Sequence, residues 1–371
     1  MSYAPVFGRI FAQALMVLRN QNTVPMAITN VSGEAQRQTG AKVEFPVAHG
    51  ALIEDHTMET PVDGGSGQAS NLTLDINRNR RWKWPISGQD LASMARPGSV
   101  AMAAIADGIG ALCDDVTAYV LKEIVNAAYE RVGVAGTTPF GSDDRTPATE
   151  ARKILVKAKT PKDGRYLILD PDAYQNALDI DAIKYADRRG STDPGWEGEI
   201  GRMVGLRVME ENQIPEITTG AGGVALNGAA AAGVEQLTVD GAGTVNVGDP
   251  LTIEDDNYVA TTAKAAGGTT LGIAPALRQN VADNRPVTIV ADHTASLALA
   301  RGSAYFASKP MAQSVPGVEG TPGDVFSHFD SNSGLALEMQ PFRVAGGWYL
   351  YTSIWYGVLI ARQNQVVRVM G

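Results

Sequence analysis

From Lys42 the chain alternates apolar and polar positions, with Val43, Phe45 and Val47 on one face and Lys42 and Glu44 on the other, which is the period of a half-buried strand. A second alternating run carries Leu72, Leu74 and Ile76 and continues through Trp82, Trp84 and Ile86. Between the two runs lies Asp63-Gly64-Gly65-Ser66-Gly67, the composition of a turn, so the pattern predicts one long two-stranded ribbon from Val43 to Trp84. Such a ribbon is marginal alone in water and is expected to lie on something else, a neighbouring subunit being the candidate. Ahead of it, Phe7, Ile10, Phe11, Leu15, Met16 and Leu18 have the spacing of a short amphipathic helix, and irregular polar sequence follows to Gly40.

Residues 99 to 131 carry the most regular helical signal, with Ile105, Ile109, Leu112, Val116, Tyr119 and Ile124 in an Ala-rich background without internal proline. One helix of ~50 Å is predicted at ~1.5 Å per residue, starting at Pro97-Gly98 and ending by Gly133. Residues 146 to 209 read as a compact α/β piece. Thr146-Pro147 caps a helix, Tyr166-Leu167-Ile168-Leu169 is a buried strand, and Asp170-Pro171 opens a second helix with Asp as N-cap.

Residues 218 to 233 are almost wholly Gly, Ala, Thr and Val, a linker by composition. Short strand-like runs then follow at Gln236–Val239, Leu251–Ile253 and Val287–Val290, predicting a small β-barrel or sandwich inserted into the α/β piece, whose sequence character resumes at Ala295–Leu299. At the C-terminal end Leu335, Leu337 and Met339 alternate, Ala345-Gly346-Gly347 turns the chain, and Trp348, Leu350, Ile354, Tyr356 and Val358 keep the same period. This is an aromatic hairpin whose rings are expected to serve packing.

Composition adds limits to this picture. The 371 residues carry a formal charge of -9, the opposite balance from a dedicated nucleic-acid binder. A single cysteine, Cys113, sits in the helical run and is expected to be buried; no intrachain disulfide can form. Arginines interrupt the apolar N-terminal stretch, which does not read as a secretory signal, and no apolar run approaches the ~18 residues of a membrane span.

Candidate chemistry is sparse. Gly220-Ala221-Gly222-Gly223-Val224-Ala225 fits a dinucleotide-binding pattern but lacks the hydrophobic strand before it and the helix after it, and reads as linker. Phosphate-binding loops ending in Gly-Lys-Ser/Thr and Gly-x-Ser-x-Gly elbows do not occur. His49, His56, His293 and His328 are scattered, so no metal site is expected. Asp114-Asp115, Asp143-Asp144 and Glu254-Asp255-Asp256 read as solvated surface. No catalytic residue and no cofactor is predicted. The one notable basic group is Arg78, Arg80, Arg81 and Lys83. With Phe45, Trp82 and Trp84 these are the candidate intersubunit contacts; a charge-paired surface and weak nucleic-acid contact are the competing readings of the basic group.

The order of these parts resembles the major capsid proteins of tailed bacteriophages, which share the Hong Kong 97-type fold, and within them the short-tailed-phage coat proteins with an inserted β-barrel. The residues carrying the likeness are Ala14 to Asn20, Gly205-Leu206-Arg207-Val208 leading to Asn212 and Pro215, and Val247 to Ile253. Further ones are Ala304 to Pro310, and Ser333 to Leu337 before Tyr356-Gly357-Val358. The resemblance implies an α+β fold with an N-terminal arm at 1–36, an extended loop at 37–86 and a peripheral domain with its spine helix at 87–134. It places an axial domain at 135–217 and 292–371 and an all-β insertion domain at 218–291.

It implies pentamers and hexamers of this chain closing into an icosahedral shell around double-stranded DNA, held in weak contact, with no membrane involved. A separate scaffolding protein and a portal protein are implied partners and a decoration protein a candidate one. The implied location is the virion, after assembly in the host bacterial cytoplasm. The alternatives are the shell of a phage-derived nanocompartment and, from another class, an α/β hydrolase with a β accessory domain, which would need a pocket where two carboxylates converge.

Overall fold

The computed structural model describes residues 11–12, 14–16, 27–38, 40–48, 69–87, 100–184, 198–310, 326–330, 334–344 and 347–371. The helix expected over 5–19 falls within them only at 11–12 and 14–16, which are helical, and the Gly-rich turn at 63–67 lies outside them. The chain divides into two units, one taking in residues 30–112 and 305–361, the other 113–304 and 362–371.

In the first unit the ribbon is real but shorter than expected. Lys42–Ala48 pairs antiparallel with Ala69–Asp75, in register from Lys42 opposite Asp75 to Ala48 opposite Ala69. The second apolar run does not continue along the ribbon. After Ile76-Asn77 it becomes a separate strand, Arg78–Ser87, which pairs antiparallel with the long C-terminal strand Gly347–Ile360, from Tyr356 opposite Arg78 to Gly347 opposite Ser87. Parity of the apolar positions is unbroken from Leu72 to Ile86, and a period of two carries no information about which strand is the partner.

The expectation that the ribbon lacks cover within its own chain is also corrected. Val43, Phe45, Val47, Leu74 and Ile76 form a core cluster with Ala35 and Ala307, flanked by Tyr305, Trp355 and Leu359. The sheet of this unit runs Thr29–Asn30, Ala304–Ser308, Gly347–Ile360, Ala336–Val344, Phe326–Phe329, with Arg78–Ser87 paired to Gly347–Ile360 as well. The aromatic hairpin is as predicted, with Leu337 opposite Ile354 and Val344 opposite Gly347.

The long helix spans Val100–Ala127, 28 residues or ~42 Å at 1.5 Å per residue. It ends earlier than its periodicity predicts because Glu130–Gly133 is drawn into parallel pairing with Val366–Met370, and tertiary pairing overrides local helical preference there. Cys113 is buried, and desolvation, then Asp114, pushes its thiol up to about 12, so it is an inert packing residue.

The second unit centres on a sheet ordered Glu130–Gly133, Val366–Met370, His293–Ala300, Arg165–Leu169, Leu206–Glu210, Arg202–Met203, with Glu216–Ile217 added beside His293–Ala300. Helices Thr146–Lys157 and Pro171–Asp179 bury Leu155, Ala151, Ala173 and Ala177 against Leu167, Leu169, Val208 and Val369. Asp170 caps the second helix as expected, accepting the Asp172 amide at 3.2 Å. The first begins one step earlier than read, because Asp144 Oδ1 takes the Thr146 amide at 2.8 Å and Thr146 is itself helical.

Between Glu216–Ile217 and His293–Ala300 the chain makes a closed six-stranded barrel, ordered Val224–Leu226, Gln236–Asp240, Thr270–Ala274, Asp256–Ala260, Pro250–Ile253, Pro286–Ile289. Its strands alternate, so that Leu237, Val239, Leu251, Ile253, Leu271, Ile273 and Val287 fill one core, and closure leaves no strand edge. Residues 220–223 lie outside any strand, as linker sequence would, and the barrel's first strand begins at Val224. A Cβ on Gly220 would stand 2.1 Å from the Thr244 carbonyl oxygen, so that glycine serves close backbone packing, while Gly222 and Gly223 face open space. Asp292 ties the barrel's two chain crossings together, accepting the Thr219 amide at 2.8 Å and its hydroxyl at 3.0 Å.

Candidate assembly surface

The candidate contact residues fall into three settings. Phe45 is 6% exposed and packs on Tyr305 with ring centroids 4.6 Å apart, so its ring belongs to the core and is not offered to a neighbour. Trp82 and Trp84 are half-buried on one face of Arg78–Ser87, their rings stacked at 6.1 Å and 12°. A Cβ on Gly108 of the long helix would stand 2.4 Å from the Trp82 indole, so that helix packs directly on this face.

On the opposite face, Arg81 and Lys83 are exposed and rest on tyrosines of the adjoining strand. The Lys83 ammonium lies 4.0 Å from the centre of the Tyr349 ring and 5.8 Å from that of Tyr351, while the Arg81 guanidinium lies 5.4 Å from Tyr351. Phe342 meets Tyr351 edge-on at 5.0 Å and 87°. Contacts of this kind stabilise by about 0.5–1 kcal/mol at exposed sites and hold both cations over a half-buried aromatic floor. Arg78 and Arg80 are exposed at the start of the same strand. The sequence reading missed the floor because it followed the even positions Trp348, Leu350 and Ile354. Tyr349 and Tyr351 alternate with them on the other face, which was the available signal.

The acidic clusters have structural uses. Asp143 Oδ1 accepts the Asp181 amide at 2.9 Å, Glu254 pairs with Arg285 at 2.7 Å, and Asp256 pairs with Arg278 at 3.2 Å. The hairpin between Pro250–Ile253 and Asp256–Ala260 turns at Glu254-Asp255, both at positive φ as a two-residue turn requires. Among the described residues no group of three or more His, Cys, Asp or Glu could hold a metal ion, and no helix is long and apolar enough to cross a membrane.

The mixed α+β fold of this chain is shared with solved phage chains. A chain of Mycobacterium phage Che8 is similar over 94% of this chain and 91% of its own, at 15% identity and a TM-score of 0.53. The capsid of cyanophage P-SCSP1u is similar over 92% of this chain and 85% of its own, at 13% identity and a TM-score of 0.47. The mature capsid of bacteriophage PhiM1 gives 94% and 86%, at 13% identity and the same TM-score of 0.47. No family model and no curated protein matches the sequence.

Proposed function

We propose that the chain is the major capsid protein of a tailed bacteriophage, assembling as pentamers and hexamers into the icosahedral head that encloses double-stranded DNA. The observation that carries this reading is a fold shared with a phage chain over nearly the whole length of both. The net charge of -9 is in keeping with a container that holds DNA loosely. In this reading the ribbon and the chain around it form the extended loop, the long helix is the spine of the peripheral domain, the α/β unit is the axial domain, and the barrel is the insertion domain. A separate scaffolding protein, a portal protein and a decoration protein are the proposed partners, assembly taking place in the host cytoplasm and the product residing in the virion. The chain has no catalytic role in this proposal.

Arg81 and Lys83, held over Tyr349 and Tyr351, are the proposed intersubunit contacts, with Arg78, Arg80 and the exposed edges of Trp82 and Trp84 beside them. Phe45 is withdrawn from that set by its burial. The test is expression alone and with a scaffolding protein from the same phage, followed by light scattering and electron microscopy. Closed shells of uniform size are expected; a monomer at every concentration, with scaffold and without, would overturn the reading.

A further inference from the structure

Arg131 and Arg368 occupy opposed positions on two adjacent parallel strands, in direct register, on one face of the second unit's sheet. Adjacent strands lie ~4.8 Å apart, so two guanidinium side chains start side by side, and opposed like charges are unfavourable. Both are removed from water, Arg368 completely and Arg131 largely. Their known partners are neutral. Arg368 donates through Nη2 to the carbonyls of Val125 at 2.6 Å and Gly248 at 2.9 Å, and Nη1 meets His293 Nε2 at 3.3 Å. Arg131 donates through Nη2 to the Thr252 hydroxyl.

Two buried donors are left over, Arg131 Nη1 and Arg368 Nε, neither with a hydrogen-bond partner in the protein. A buried cationic donor without a partner is costly. Asp249 and Glu130 favour the charged forms of Arg368 and Arg131 respectively, but their hydrogen bonds are made elsewhere. Asp249 Oδ2 takes the amides of Gly220 at 2.9 Å and Asn246 at 2.7 Å, and Glu130 pairs with Arg278 at 3.3 Å. Burial, with the two arginines beside it, favours the neutral form of His293, and donation from its Nδ1 to the Ala291 carbonyl at 2.8 Å leaves Nε2 as the acceptor for Arg368.

The geometry points to a binding site for a small monovalent inorganic anion, chloride being the abundant one, between Arg131 Nη1 and Arg368 Nε at the base of the inserted barrel. One such ion satisfies both leftover donors and offsets the repulsion of the two guanidiniums; a water molecule could accept from both donors but would leave that repulsion in place. The ion would also fasten the barrel to the sheet, since Thr252 and Gly248 belong to the barrel side of this junction and Arg131 and Arg368 to the sheet.

The experiment melts the full chain at constant ionic strength while chloride replaces gluconate, an anion too large to enter. A site of this kind raises the melting temperature by about 2 °C for each tenfold increase in chloride above half-saturation, and Arg131→Met abolishes the dependence. A second measurement does not rely on the variant folding: crystals of the wild-type chain soaked in bromide should show an anomalous peak between the two side chains. A melting temperature indifferent to chloride, a dependence that survives in Arg131→Met, or bromide-soaked crystals with no peak there would overturn the proposal.

Discussion

The indole of Trp82 fills the space that a side chain on Gly108 would occupy, the nearest ring atom standing 2.4 Å from the position of its Cβ. Alanine is the better helix former by about 1 kcal/mol, yet forcing a methyl group into a filled contact costs about 1–3 kcal/mol. Gly108→Ala should therefore lower the melting temperature despite its helix propensity. In a Trp82→Leu background, where the ring is gone, the same change should become neutral or stabilising. Thermal melts of the four chains give the coupling directly, and additive effects would show that the contact carries no energy.

Shortening the ribbon tests its role in assembly without disturbing its core. Ala48 and Ala69 stand directly opposite each other, so joining them through Asn-Gly, in place of residues 49 to 68, satisfies a two-residue hairpin. Val43, Phe45, Val47 and Leu74 remain in their cluster. The monomer should keep its circular dichroism and its melt while particle yield in sucrose gradients collapses. Normal particles would mean that the removed segment is dispensable.

Replacing Arg81 and Lys83 together by Gln should weaken assembly severalfold, more visibly at low salt than at high, because screened surface charges act through short-range fields. Replacing Tyr349 and Tyr351 by Leu should loosen the same contact by removing the floor under both cations. Light scattering against salt concentration distinguishes the two effects, since the loss from the tyrosine variant should depend less on salt.

The barrel should fold when excised as residues 218–292. Its core is closed on itself and its strand pairings are all internal. A fragment with β-type circular dichroism and a cooperative melt is expected, and a random-coil spectrum would refute its independence.

His293 should make the second unit acid-sensitive. Burial is the main cause that lowers its pKa below 6.5, with Arg368 and Arg131 adding to it against the opposing pull of the Ala291 carbonyl and Asp249. Between the lowered folded value and 6.5 the unfolded chain takes a proton that the folded chain refuses. This contribution to stability is therefore complete above pH 6.5 and is lost as pH falls below it. Melts from pH 7.5 to 5.5 should show a decline that His293→Gln flattens, and a parallel decline in both chains would assign the sensitivity to other groups.

The sequence by itself determined the local elements. The period of two at Val43–Val47 and Leu335–Met339, the helical spacing from Ile105 to Ile124, and the short strands inside the insert each followed from where apolar side chains must go, and a closed barrel and a long helix are there. The Asp170-Pro171 cap was legible because its hydrogen bond is made within two residues. Tertiary structure decided everything that depends on a partner remote in sequence. It moved Arg78–Ser87 off the ribbon onto Gly347–Ile360, ended the long helix at Ala127 so that Glu130–Gly133 could pair with Val366–Met370, and buried Phe45 against Tyr305. It also set Lys83 over Tyr349, and Arg131 beside Arg368. The reason is physical: periodicity records which side of an element faces the core, whereas strand partners and side-chain neighbours are fixed by contacts between positions hundreds of residues apart, which no local pattern encodes.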